Sequence, residues 1–251
     1  MMVIEQDFGS IRLLTLNHTN KHNPFSEELE NAIKYALNKA DADDNVKSIV
    51  VYGGEGRSFS SGGDFNEVKK LSGGAEVECW IDRVIDLYNS VLNISKPTIA
   101  AVDGYAIGMG FQFAMMFDLR VMSDQAHFVM PELKHGIGCS VGAAILEFTH
   151  GHALMKKIVF ECEEISAERC HEYHIVNQVT SGECLLETAL SQAGLLAEYP
   201  KSAFINTKKF MNKSFIEALE KIREESKFVH KNAFTARDAQ KHFQKVLGQK
   251  Y

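Results

Sequence analysis

No two cysteines in this chain are spaced C-x-x-C: Cys79, Cys139, Cys162, Cys170 and Cys184 are scattered and odd in number. They read as free thiols of a reducing compartment rather than a disulfide framework. H-E-x-x-H and ligand-spaced Cys/His clusters are missing too, so no metal site is expected. Basic charge is not in excess: 27 Lys and Arg stand against 33 Asp and Glu, a net −6. That argues against nucleic acid or a membrane surface as partner, while leaving room for a small anionic ligand held by a few local cations. The longest apolar run, Tyr105 to Phe117, is broken by glycine and falls short of the ~20 residues that span a bilayer. The opening MMVIEQDFGS has no basic stretch leading into an apolar one, so the expectation is a cytoplasmic protein.

What is present is an ordinary globular composition, 45% hydrophobic and 24% charged over 251 residues, enough for one sizeable α/β domain with or without a small appendage. Val3 to Glu5 and Arg12 to Leu16 predict a hairpin around Gly9. Ser26 predicts a helix cap ahead of the apolar stripe Leu29, Ile33 and Leu37. SIVVY (Ser48 to Tyr52), TIAAV (Thr98 to Val102) and Leu119 to Met122 predict buried strands, with a helix over Glu76 to Leu92 between the first two. Short apolar strands separated by helices imply parallel pairing through crossovers. From Ser140 onward the pattern is helical. Segments are expected after Ser166 and at Leu185 to Glu198, Ser202 to Met211, Ile216 to Val229 and Asn232 to Val246, with one short strand at Ile175 to Val179.

Two glycine clusters each follow a buried strand: GGEGRSFSSGGDF after SIVVY and DGYAIGMGFQFA after TIAAV. In an open α/β sheet ligands collect beyond the carboxyl ends of the strands, and glycine lets backbone approach them closely. Neither cluster fits G-x-G-x-x-G or G-x-x-x-x-G-K-[ST], which disfavours dinucleotide and Walker-type sites. Each cluster alone is equally a tight turn.

Together the motifs FSSGGDF and DGYAIGMG, with NKHNPF before them and MPELKHGIGC after, resemble the crotonase (enoyl-CoA hydratase/isomerase) superfamily, in the order that family uses and over essentially the whole chain. The resemblance implies a ββα spiral core over residues 1–195 and an α-helical C-terminal trimerisation region over 196–251. It implies two backbone N–H groups, on Gly63 and Met109, that hold the oxygen of a CoA thioester as it becomes an enolate. The second would stand at a helix start, where a free N–H adds to the helix dipole. Loss of one such donor typically costs about 3–4 kcal/mol of transition-state stabilisation. Glycine at this helix start is expected to keep bulk away from the ligand.

The side chains around the enolate decide the reaction. Hydratases of the family carry a glutamate at each of two positions, which fall here on Gln112 and Glu132. A neutral amide accepts no proton at pH 7, so hydration is disfavoured. Glu132 is then the expected base, and Gln112, three residues after Met109, faces the same way as a neutral hydrogen-bonding partner. NKHNPFS, GGDFNEVK, WIDRVIDLY, FVMPELKHGIGCSVGAAI and ARDAQ…QKY resemble a carbon–carbon bond-forming branch of the family. This likeness implies malonyl-CoA and pyrroline-5-carboxylate as substrates, release of CoA, and no metal or redox cofactor. It places Trp80 and His230 near the substrate. His135, three residues after Glu132, is expected to back that carboxylate. Lys21 is implied at the CoA phosphates, and the loop Ser60, Ser61, Gly62, Asp64 and Phe65, with Gly108 and Gly110, around the thioester arm. A homotrimer or hexamer is implied. An enoyl-CoA isomerase, another acyl-CoA decarboxylase or a non-catalytic binding protein of the same fold are the alternatives.

Overall fold

The computed structural model describes residues 1–236 and 238–248. Arg237 and residues 249–251 of the C-terminal motif lie outside them. The strands are β1 (Val3–Phe8), β2 (Ile11–Leu16), β3 (Ser48–Tyr52), β4 (Thr98–Val102), β5 (Tyr105–Ile107), β6 (Leu119–Ser123), β7 (His127–Val129), β8 (Glu164–Ser166) and β9 (Gln178–Thr180). The helices are α1 (Glu27–Ala42), α2 (Phe65–Val68), α3 (Ala75–Leu92), α4 (Met109–Ala114), α5 (Ser140–His150), α6 (His152–Glu161), α7 (Ala167–Glu172), α8 (Leu185–Ala197), α9 (Lys201–Thr235) and α10 (Asp238–Gly248).

Six strands form one sheet in the order β1-β2-β3-β4-β6-β9, and β5-β7-β8 form a second. The β1–β2 pair is antiparallel and the remaining neighbours in the large sheet are parallel. β5 to β7 is parallel and β7 to β8 antiparallel. Alternation sorts the large sheet's side chains. Leu14, Leu16, Ile49, Val51, Ala100 and Val102 join the main core with α1 and α3. Leu13, Val50, Ile99, Ala101 and Val121 face the other way and are covered by Leu185, Ala189 and Ala193 of α8. This two-faced burial explains why SIVVY and TIAAV read as unbroken apolar runs.

Ser26 caps α1, its hydroxyl accepting from the Leu29 amide at 3.3 Å. The strand expected at Ile175 to Val179 forms three residues later, because the Ile175 and Val176 amides turn back to the Cys170 carbonyl. The three helices expected between Ser202 and Val246 are two. α9 runs unbroken for 35 residues, since no glycine or proline interrupts it, and α10 follows. α9 packs on α3 and α5, and α10 packs on a 3-10 turn over Glu132–His135. Lys208 anchors α9 to the sheet: its buried ammonium donates to the Lys96 carbonyl at 2.8 Å and to Asp118 at 2.6 Å. No helix among the described residues is long and apolar enough to cross a membrane.

Candidate active site

The two glycine clusters meet at the carboxyl ends of β3 and β4. Ser60 bridges them, its amide donating to the Tyr105 carbonyl at 3.0 Å and its carbonyl accepting from the Ile107 amide at 2.9 Å. The contact leaves no space for side chains. A Cβ on Gly110 would stand 2.4 Å from the Ser60 carbonyl oxygen, and one on Gly62, whose φ is +87°, 2.6 Å from that of Ile107. Glycine at 110 thus lets loop pack on loop, a need the sequence reading, which looked to clearance of a ligand, did not name. At Gly108, with φ +52°, an added Cβ would stand 3.1 Å from Glu132 Oε1. There the missing side chain does open the site.

Gly63 follows Gly62 in the first loop, and Met109 is the first residue of α4. A helix's first amides have no partner within the helix. Among the described residues, neither the Gly63 nor the Met109 amide donates to a protein acceptor. Both residues line one cavity of about 550 Å³. The same wall includes Ser61, Asp64, Phe65, Trp80, Gly108, Gln112, Glu132, His135 and His230. Three residues expected at the site are not on this wall. Ser60 is buried behind it, its hydroxyl donating to the Asn23 carbonyl at 2.8 Å and accepting from the Gly62 amide at 3.1 Å. Gly110 lies against Ser60. Lys21 is exposed, adjoining the rim residues His18, Thr19 and Asn20.

Glu132 opens the 3-10 turn after Pro131. Gln112 Nε2 donates to its Oε1 at 2.8 Å, while Oε2 is shielded and has no partner of normal hydrogen-bond geometry, although the Cys139 thiol lies beside the carboxylate. Burial pushes the Glu132 carboxyl up to about 7, against the opposing pull of its hydrogen bonds. Such a group exchanges a proton readily near neutrality. Burial and the negative Glu132 keep Cys139 as a thiol, well above the ordinary range.

Around this pair the wall is aromatic. The His230 ring meets Trp80 edge-on at 5.6 Å, and its Nδ1 donates to the Ser226 carbonyl at 2.8 Å. Burial lowers the His230 pKa, which keeps the imidazole neutral. His135 packs edge-on against Phe65 at 5.6 Å and stacks on His242 of α10 at 4.5 Å; burial and that neighbour lower it to about 4. Arg83 of α3 ties α1 to α2 through Glu27 at 2.7 Å and Glu67 at 3.1 Å, which braces the segment following Gly63. Its Nε lies 3.3 Å from the fully buried Glu30, whose carboxylate oxygens find no hydrogen bond. Burial raises Glu30 to about 7.

Sequence reasoning did not single out Tyr88 or Cys139. Tyr88 is fully buried on α3, and its phenol donates to Gln112 Oε1 at 2.9 Å. The one available signal was a hydroxyl on an apolar helix stripe, which requires a partner without saying which.

The enoyl-CoA hydratase/isomerase family model matches residues 7–249. The chain belongs to that family. It is 62% identical over 250 residues to a protein of Pectobacterium carotovorum subsp. carotovorum named carboxymethylproline synthase, with 100% of both chains covered. It is 30% identical over 208 residues to the mitochondrial enoyl-CoA hydratase of Pongo abelii, covering 82% of this chain and 70% of that one. Among solved structures, ThnE from S. clavuligerus superposes with a TM-score of 0.78 at 35% identity, covering 90% of this chain and 100% of that one. The fold expected from the glycine motifs is thus the observed one, and the chain is an enzyme of the crotonase type.

Proposed function

We propose that this site joins malonyl-CoA to pyrroline-5-carboxylate and releases carboxymethylproline, the product in the name of the Pectobacterium relative. The observation that carries the reading is the pairing of neutral Gln112 with Glu132, in a cavity that holds the free amides of Gly63 and Met109. A donor-lined pocket holds an enolate oxygen, and an amide beside it adds no negative charge.

The thioester oxygen of malonyl-CoA sits between the two amides. Its carboxylate leaves as CO2, and the bonding pair becomes the acetyl-CoA enolate. The enolate carbon attacks C5 of the protonated cyclic imine, forming the carbon–carbon bond and returning the electron pair to nitrogen. Glu132 then deprotonates water for attack on the thioester, and CoA leaves as its thiol with (2S,5S)-carboxymethylproline as product. Trp80 and His230 provide an apolar wall for the pyrroline ring. Bond changes are redox-neutral throughout, so the course needs no metal or redox cofactor. Exposed Phe160, Phe210 and Phe228 are surface that association into a trimer or hexamer would cover.

The test is incubation with malonyl-CoA and pyrroline-5-carboxylate, followed by mass identification of the product. Carboxymethylproline is expected. Its absence, with turnover of a 3-enoyl-CoA, would transfer the site to isomerase chemistry, which asks Glu132 only to move one proton.

A further inference from the structure

We propose that Tyr88 is a positioning residue of this site: its hydroxyl holds the Gln112 amide in the one orientation that offers Glu132 a donor, and so presents Glu132 as a base. The proposal rests on the reading of Glu132 given above. Tyr88 is not on the cavity wall. It acts through a chain: Tyr88 Oη donates to Gln112 Oε1 at 2.9 Å, and Gln112 Nε2 donates to Glu132 Oε1 at 2.8 Å.

The direction of this chain follows from what each group can do. An ionised carboxylate only accepts, an amide has one accepting and one donating end, and a phenol can do either. With Tyr88 donating, the amide carbonyl is satisfied on the α3 side and its NH2 must face Glu132. Without that hydroxyl, only the Gln112–Glu132 hydrogen bond itself opposes a flip, and it weakens once Glu132 takes up a proton. The other acceptor near Nε2 is Met130 Sδ at 3.5 Å, and thioether sulfur accepts weakly. In the flipped amide the carbonyl faces Glu132, where it accepts from the protonated acid and favours that form. Tyr88 Oη also lies 3.5 Å from the Met109 carbonyl, at the residue that supplies the second oxyanion amide.

The other titratable groups around Glu132 do not duplicate this role. The Cys139 thiol of the α5 cap stays protonated. His135, on the same turn, is neutral and backed by His242 of α10. His230 of α9 lines the same cavity with its Nδ1 committed to the Ser226 carbonyl. Lys134 points to the Cys162 carbonyl at the end of α6, and on α10 Asp238 and Lys241 pair with each other.

Tyr88→Phe removes only the hydroxyl and keeps the ring in the core. Product formation should show its ascending pH limb moved upward by about one unit, equivalent to about 1.4 kcal/mol. The rate at pH 7 should then fall about fivefold and recover in alkaline buffer, with the KM for malonyl-CoA close to wild type. A limb that does not move overturns the proposal. The carboxyl infrared band of Glu132, isolated by difference against Glu132→Gln, reads the same titration without turnover. If wild type makes no carboxymethylproline yet the band titrates higher in Tyr88→Phe, the substrate assignment fails and the positioning role stands. Tyr88→Phe in a Gln112→Leu background separates positioning from packing, since the chain is already cut there. No additional shift is expected, and an equal shift in that background would refute transmission through Gln112.

Discussion

Gly110→Ala tests whether the two loops must touch for the amides of Gly63 and Met109 to work together. The added Cβ would lie 2.4 Å from the Ser60 carbonyl oxygen, 2.9 Å from its Cβ and 3.1 Å from its carbonyl carbon. Comfortable separations between non-bonded heavy atoms are about 3.5–4.0 Å, so the backbones must part by about 1 Å. No flexible side-chain tip is available to yield. The displaced carbonyl is the acceptor for Ile107, and it precedes Gly63 by only three positions. Overpacking of this kind costs about 1–3 kcal/mol of stability. A 1 Å misplacement of positioning groups can cost about 10²-fold in rate. We therefore expect kcat for product release to fall about 10²-fold while the urea midpoint moves only modestly. Gly56→Ala is the control: Gly56 also has positive φ, +65°, but nothing lies within 4 Å of its added Cβ. It should lose some stability and keep its kcat. If Gly110→Ala lowered stability yet turned over within threefold of wild type, the loop contact would not be what sets the oxyanion geometry.

Glu132→Ala should abolish product while leaving CoA-thioester binding measurable by calorimetry; retained turnover would remove Glu132 from the mechanism. Gln112→Glu would set a second carboxylate against Glu132 Oε1, at a contact now 2.8 Å long, so the pair would share a proton and carbon–carbon bond formation at pH 7 should drop. An unchanged rate would mean that the enolate does not sense the charge at 112. Glu30 has a folded-state pKa of about 7, above the ordinary 4.5, so its favourable contribution is complete below the lower value and lost as pH rises through the higher one. Glu30→Gln should therefore gain thermal stability relative to wild type between pH 5 and pH 8; a difference independent of pH would contradict the raised pKa.

How far the sequence revealed these features depends on what each one needs to be seen. SIVVY and TIAAV were legible because burial on both faces makes a parallel strand apolar at every position. β5, β7 and β8 were not, because three residues carry no period. α9 was divided too finely, since polar residues around Asn212 and Lys231 interrupt its stripe without breaking its backbone. Glu132 and Gln112 could be paired through motif order. Tyr88, 24 positions from Gln112, could not, because only the packing of α3 against α4 brings phenol and amide together. Ser60 and Gly110 illustrate the converse: the motif marks them, and the structure places them off the cavity wall, where they hold the two loops together.

The most direct measurement is a crystal structure of the protein bound to acetyl-CoA, with the thioester oxygen located in the electron density. The account predicts that oxygen about 3 Å from both the Gly63 and the Met109 nitrogens. An oxygen bonded to neither amide, or thioester density outside the cavity that Glu132 lines, would contradict it.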